Sequence, residues 1–315
     1  MKTAGKWLGL AATLLCLYFF SSQVVAYWKT IREFPGTPAF TVAFLGSMAL
    51  YLSTYATSGK SWQLALRMAS THISLGKSTR IIMQSQIAKF APGNVAHHIG
   101  RVVLANRAGI PPATTVATAA IDMLALLIAA LLAALLVLEP LTTLIRQYEE
   151  HLEQSARLAT ITGLTLSAVA LFAYAGSRRV RRGLRKFAGV SGLSALGNIQ
   201  NLRRMLACIA LYLGSFVLGG SALWLIAESL PASNQIQLVW AVGTYAVAWL
   251  AGFIAPGAPA GLGVREAVIV LALGPMAGKD VATTSALFFR LATTIGDGAA
   301  FSIAWLYEKK IKSSD

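Results

Sequence analysis

The chain has 315 residues, 56% of them hydrophobic and only 12% charged, with a mean hydropathy of +0.63 and a formal net charge of +15. A soluble domain carries about 25% charged residues, so this composition argues for a bilayer and against water. The positive excess lies between apolar runs and no RNA- or DNA-binding motif accompanies it, which argues against nucleic acid and leaves membrane lipid as the partner.

In chain order, Lys2 and Lys6 precede an apolar run over 7–28. It is long for a signal peptide, although Val24-Val25-Ala26 offers a cleavage site, and it reads as a first transmembrane helix. A second span covers 38–57. Residues 60–107 then hold seven basic side chains and no acid, which assigns them to the cytoplasmic side, with a middle apolar enough to dip into the membrane. Pro111-Pro112 opens a long helix over 113–138, proline being tolerated in a first turn. Residues 139–157 carry four glutamates against two arginines and are placed outside. A span over 158–176 returns to a cytoplasmic arginine-rich loop, 177–204. Spans 205–227 and 236–254 follow, joined by an outer loop around Pro231. A last span, 281–306, ends in the basic tail Lys309-Lys310-Ile311-Lys312. Both termini are then cytoplasmic and the number of crossings is even. Seven spans are clear, and residues 264–275 must supply the eighth. The expected fold is one all-α polytopic membrane domain over 1–315 with about eight transmembrane helices.

Two stretches interrupt this pattern. The longer, Ala255 to Glu266, contains Pro256, Gly257, Pro259, Gly261 and Gly263 and closes on Arg265-Glu266. The shorter is Ala91-Pro92-Gly93, and in both copies an arginine (Arg101, Arg265) stands nine residues past the proline. Proline removes a backbone donor and glycine favours non-helical dihedrals, so no regular helix is expected through either. Irregular backbone at membrane depth needs protein or a wet cavity to solvate it. Two matching interruptions read as inverted repeats, with halves 1–138 and 158–315 joined through 139–157 and a site where the breaks lie.

Six charges fall at membrane depth: Arg101, Asp122, Arg265, Glu266, Arg290 and Asp297. Each costs at least about 2.5–3.5 kcal/mol on insertion scales unless partnered or wetted. One reading is structural pairing, Asp122 with Arg290 or Asp297 with Arg265. The other is functional. Arginine presents a rigid fork of donors that matches phosphate, and helix starts after the breaks add backbone donors. Arg101, Arg265 and Arg290 are therefore expected to hold an anionic headgroup, with Asp122, Glu266 and Asp297 balancing charge or carrying a proton. His97 and His98, adjacent and expected to diverge on a helix, have no carboxylate or cysteine at ligand spacing, and Cys16 and Cys208 read as small hydrophobes. No metal or cofactor site is expected, nor is a catalytic residue assigned: no Ser/His/Asp set, Walker-type loop or catalytic carboxylate pair is visible.

The sequence resembles the lysylphosphatidylglycerol synthetase transmembrane-region family. The residues that carry this are Lys89-Phe90-Ala91-Pro92-Gly93, Gly100-Arg101-Val102-Val103-Leu104 with Arg107-Ala108-Gly109-Ile110-Pro111, Asp122, the stretch from Gly252 to Glu266, Phe289-Arg290 and Gly296-Asp297. The resemblance implies a polytopic inner-membrane protein that moves lipids or lipid-linked sugars between leaflets. Its best-known members add a soluble synthase domain, not expected here because the chain ends at Asp315. The family's Glu-Arg pair before the aspartate is replaced by Thr118-Ala119-Ala120. A lipid translocator leads these expectations. A membrane glycosyl or group transferase using Glu266, or an accessory protein partnering envelope-biosynthesis enzymes, is the alternative.

Overall fold

A computed structural model describes residues 36–90, 96–137, 199–230, 236–255 and 259–312, and these residues form eight α-helices. α1 runs Pro38–Met68. It starts where the Thr37 hydroxyl accepts the Phe40 amide at 3.1 Å and Pro38 occupies the first turn, the two strongest local signals for a helix start. α2 is Leu75–Gln86, capped by the Ser74 hydroxyl, and passes into a 3-10 turn at Ile87–Phe90. α3 is Ala96–Arg107 and α4 is Pro112–Ala134, closing in a 3-10 turn at Leu135–Val137. α5 is Ile199–Glu228 and α6 is Leu238–Ile254. After a 3-10 turn at Pro259–Gly261, α7 covers Val264–Ala277 and α8 Lys279–Lys312.

Five expected spans thus coincide with α1, α4, α5, α6 and α8. Residues 7–28, 158–176, the loop 139–157 and most of 177–204 lie outside the described residues, as do Pro92, Gly93, Pro256 and Gly257. One boundary is corrected. Residues 60–68, read with the basic segment 60–107, belong to α1: Ser61, Trp62, Ala65 and Leu66 are buried, so packing extends the helix past the end of the apolar run.

Three of the described helices are long and apolar enough to cross a membrane: Pro38–Met68, Pro112–Val137 and Ile199–Glu228. α7, with 14 residues, is about 21 Å long and falls short of the roughly 30 Å hydrocarbon core. α8 is long enough but carries Arg290 and Asp297, both buried within the protein.

α5 is the hub, packed on α1, α4, α6 and α8. Its Gly219 and Gly220 lie directly against Tyr245 and Val242 of α6, where any Cβ would collide, so small residues set that close approach. α7 and α8 pack against each other, joined by the single residue Gly278 (φ 83°, ψ 153°), a conformation essentially confined to glycine. The turns Ile87–Phe90 and Pro259–Gly261, one beside each sequence interruption, are in contact. That contact positions the site.

Candidate functional site: a charged cavity where the helix breaks meet

A cavity of about 150 Å³ opens beside these two turns, lined by α1, α2, α3, α4, α5 and α6 together with Ala260 and Arg265. A second chamber of about 30 Å³ extends it toward Glu266, Arg290 and Asp297. Tyr51, Lys89, Tyr245, Trp249 and Arg265 border both.

Asp122 stands in α4, two percent exposed, and is fully engaged. It accepts from Ser61 Oγ at 2.7 Å, Tyr212 OH at 2.8 Å and Arg101 Nη1 at 3.0 Å. The Arg101 guanidinium also lies over the Trp62 ring, 5.4 Å from its centre, and Trp62 donates to the Thr118 hydroxyl at 3.2 Å. α1, α3, α4 and α5 are thereby tied at one carboxylate.

Asp297 in α8 is held as closely. Lys89 Nζ sits 2.7 Å from Oδ2 and 3.0 Å from Tyr51 OH, while the Tyr51 (2.7 Å) and Tyr55 hydroxyls both donate to Oδ1. Tyr51 and Tyr55, four residues apart on α1, present both hydroxyls on one helix face.

The third constellation is looser. Arg290 Nε lies 3.3 Å from Glu266 Oε1, and Nη1 donates to the Ala260 carbonyl at 3.2 Å. Ala260 holds the turn with φ 51°, which aims that carbonyl at α8. Arg290 Nη2 and Glu266 Oε2 are buried without hydrogen-bond partners. Arg265 has neither an ion pair nor a hydrogen bond among the described residues, and its Nε is buried. Two glycines make room for it. A Cβ at Gly252 would lie 2.5 Å from Arg265 Nε, and one at Gly261 (φ +70°) 2.7 Å from the same atom. Gly263, at φ +77°, starts α7, and its carbonyl accepts the Ala267 amide at 2.9 Å.

The expected pairs are therefore corrected. Asp122 binds Arg101 and not Arg290, and Asp297 binds Lys89 and not Arg265. Contact of the Ile87–Phe90 turn with the Pro259–Gly261 turn and with α8, which the sequence could not reveal, brings Lys89 to Asp297. His97 and His98 do not diverge: their ring centres lie 4.0 Å apart, tilted by 40°, and both line the larger chamber, with His97 Nδ1 buried and unpartnered. No group of three or more His, Cys, Asp or Glu side chains suited to a metal occurs among the described residues. Cys208 is buried, its thiol 3.4 Å from the Ser61 carbonyl.

All six charges named from the sequence border this cavity. Lys89, Tyr51, Tyr55, Tyr212 and Ser61 were missed. By charge bias Lys89 belongs with the cytoplasmic basic residues, although its place three residues before Pro92 sets it apart. The tyrosines carried a fainter signal, hydroxyls in apolar spans that burial obliges to find a partner.

Residues 6–300 match the family described as the lysylphosphatidylglycerol synthase transmembrane region. The chain belongs to that family. It is a multi-pass membrane protein, and the family is thought to act in lipid flipping or modification. A search of curated proteins gives no match. In this member of the family, the match spans both interruptions and every charge around the cavity.

Proposed function

We propose that the protein translocates an anionic lipid, a phospholipid or a polyprenyl-phosphate-linked lipid, between membrane leaflets. The observation that carries this is Arg265. Around the two chambers four cations, Lys89, Arg101, Arg265 and Arg290, face three carboxylates, Asp122, Glu266 and Asp297. Three cations are paired with those carboxylates and Arg265 is left over. A half-buried guanidinium whose buried Nε has no acceptor is costly unless an anion meets it. Arg265 would take the phosphate, with the spare Arg290 Nη2 behind it. Trp249 and Phe253, stacked 5.3 Å apart along α6, would offer a flat apolar wall for the rest of the headgroup.

In this reading about eight crossings build the domain, both termini face the cytoplasm of a plasma (inner) membrane, and the halves around the two breaks act as inverted repeats that expose the cavity alternately. Asp297, held by a lysine and two tyrosines, balances the site or couples a proton. Glu266, the carboxylate a transferase would need, is engaged with Arg290, which favours a charge-balancing role.

The test is leaflet exchange in reconstituted vesicles doped with a labelled anionic phospholipid or a polyprenyl phosphate. Exchange should rise on adding the protein and fall back with Arg265→Ala. Exchange equal to that of empty vesicles for both lipids overturns the proposal.

A further inference from the structure

A second feature lies on three of the same helices, further from the cavity. α2, α3 and α8 enclose an open groove of about 800 Å³. Its α8 residues begin at Phe301, one turn beyond Asp297, and run to Lys309. Its α2 residues, Lys77 to Gln84, precede the Lys89 turn, and on α3 it begins one turn past Arg101. The groove therefore extends away from the cavity along all three helices.

Its chemistry is two-sided. Ile81, Leu104 and Phe301 give it an apolar floor, and Trp305, 51% exposed, stands at its rim. Four cations line it: Lys77, Arg80, Arg107 and Lys309. Lys77 donates to the Ala108 carbonyl at 3.0 Å. Arg80 sits over the Tyr307 ring at 5.1 Å and Lys309 over Trp305 at 5.6 Å. None of the four makes an ion pair among the described residues. The single acid in the groove, Glu308, accepts from Gln84 Nε2 at 2.7 Å. Exposed tryptophan and tyrosine beside lysine and arginine is the pattern of a bilayer interface. Cations there attract the anionic headgroups of the leaflet.

We propose that this groove binds one anionic phospholipid of the surrounding leaflet. Its phosphate lies among Arg80, Arg107 and Lys309, and an acyl chain rests on the Ile81–Leu104–Phe301 floor. The site is separate from Arg265 and stands whether or not the central cavity carries lipid across. A soluble phosphate would satisfy the cations and leave the floor bare, so the occupant is a lipid.

The experiment is native mass spectrometry of the whole protein released from micelles containing phosphatidylglycerol and phosphatidylcholine, read as retained lipids per chain. Wild-type protein should retain phosphatidylglycerol in preference to phosphatidylcholine. Removing cations stepwise with R80Q, R107Q and K309Q should weaken that retention about fivefold per cation. Arg265→Ala should leave the groove lipid in place, which separates failure of this proposal from failure of the translocation reading. Inorganic phosphate at millimolar concentration should not displace it. Brominated-chain phosphatidylglycerol should quench tryptophan emission less in a Trp305→Phe variant than in wild type, a readout available even if the triple variant folds poorly. Equal retention of both lipids, undiminished retention in the triple variant, displacement by phosphate, or quenching unchanged by Trp305→Phe overturns the proposal.

Discussion

Asp122 and Arg265 are both charges set in apolar surroundings, and their circumstances are opposite. Asp122 has three donors on its carboxylate from three other helices, each at ordinary hydrogen-bond length. Arg265 has none among the described residues, although two glycines hold space open around it. A carboxylate so saturated has little left to offer a ligand, so the Arg101–Asp122 region is a staple between helices. A guanidinium kept in a slot with its donors idle is what the proposed headgroup site requires. On the proposed function, the difference separates charges that build the protein from a charge that serves it, which the residue types alone do not do.

The sharpest way to break the contrast is to remove one member of each. Asp122→Ala leaves Arg101 buried without its partner and should destabilise the fold by about 3–5 kcal/mol, read as an early thermal transition in detergent. Arg265→Ala should lower lipid exchange about tenfold or more, the worth of charge-assisted hydrogen bonds, while leaving the thermal midpoint near wild type. If Arg265→Ala proved the more destabilising of the two, the assignment would be reversed.

Next comes the slot itself. Gly252→Ala places a methyl group against Arg265 Nε without altering any charge. Exchange should fall several-fold with little loss of stability, because α6 tolerates alanine well. Full activity would mean that the observed position of Arg265 is not the working one.

A third test asks on which side Asp297 belongs. Lys89→Met and Asp297→Asn should each destabilise, and the double variant should cost less than the sum, with a coupling of about 0.5–3 kcal/mol. Additive losses would dissolve the pair. The smallest expected effect is that of Tyr55→Phe, which removes one of the two hydroxyls on Asp297 Oδ1 and should cost about 1 kcal/mol.

Much of this was legible in the chain. The apolar runs gave α1, α4, α5, α6 and α8 nearly in place, because each is longer than a core helix needs to be and is bounded by charge or proline. The six charges stood out because they interrupt or follow apolar sequence, and four of them, Arg101, Asp122, Arg290 and Asp297, are buried. What the one-dimensional pattern could not carry was partnership. Arg101 and Asp122 are 21 residues apart, but Lys89 and Asp297 are 208 apart, and only the contact of the Ile87–Phe90 turn with the Pro259–Gly261 turn and with α8 brings the latter together. Residues 60–68 were misread because their cost of burial is met by α5 and α2, which local hydropathy does not see.

The joint at Gly278 has a mechanical consequence. α7 and α8 meet at one residue, and the Glu266–Arg290 contact connects the far end of α7 to a point three turns along α8. Two arms from one corner, tied across, form a braced bracket. Such a bracket resists folding at its corner, so a displacement at the tip of α7, where Arg265 sits, turns the long arm of α8 with it. Cutting the tie would leave the corner free and uncouple the two arms, even with every residue of the joint intact.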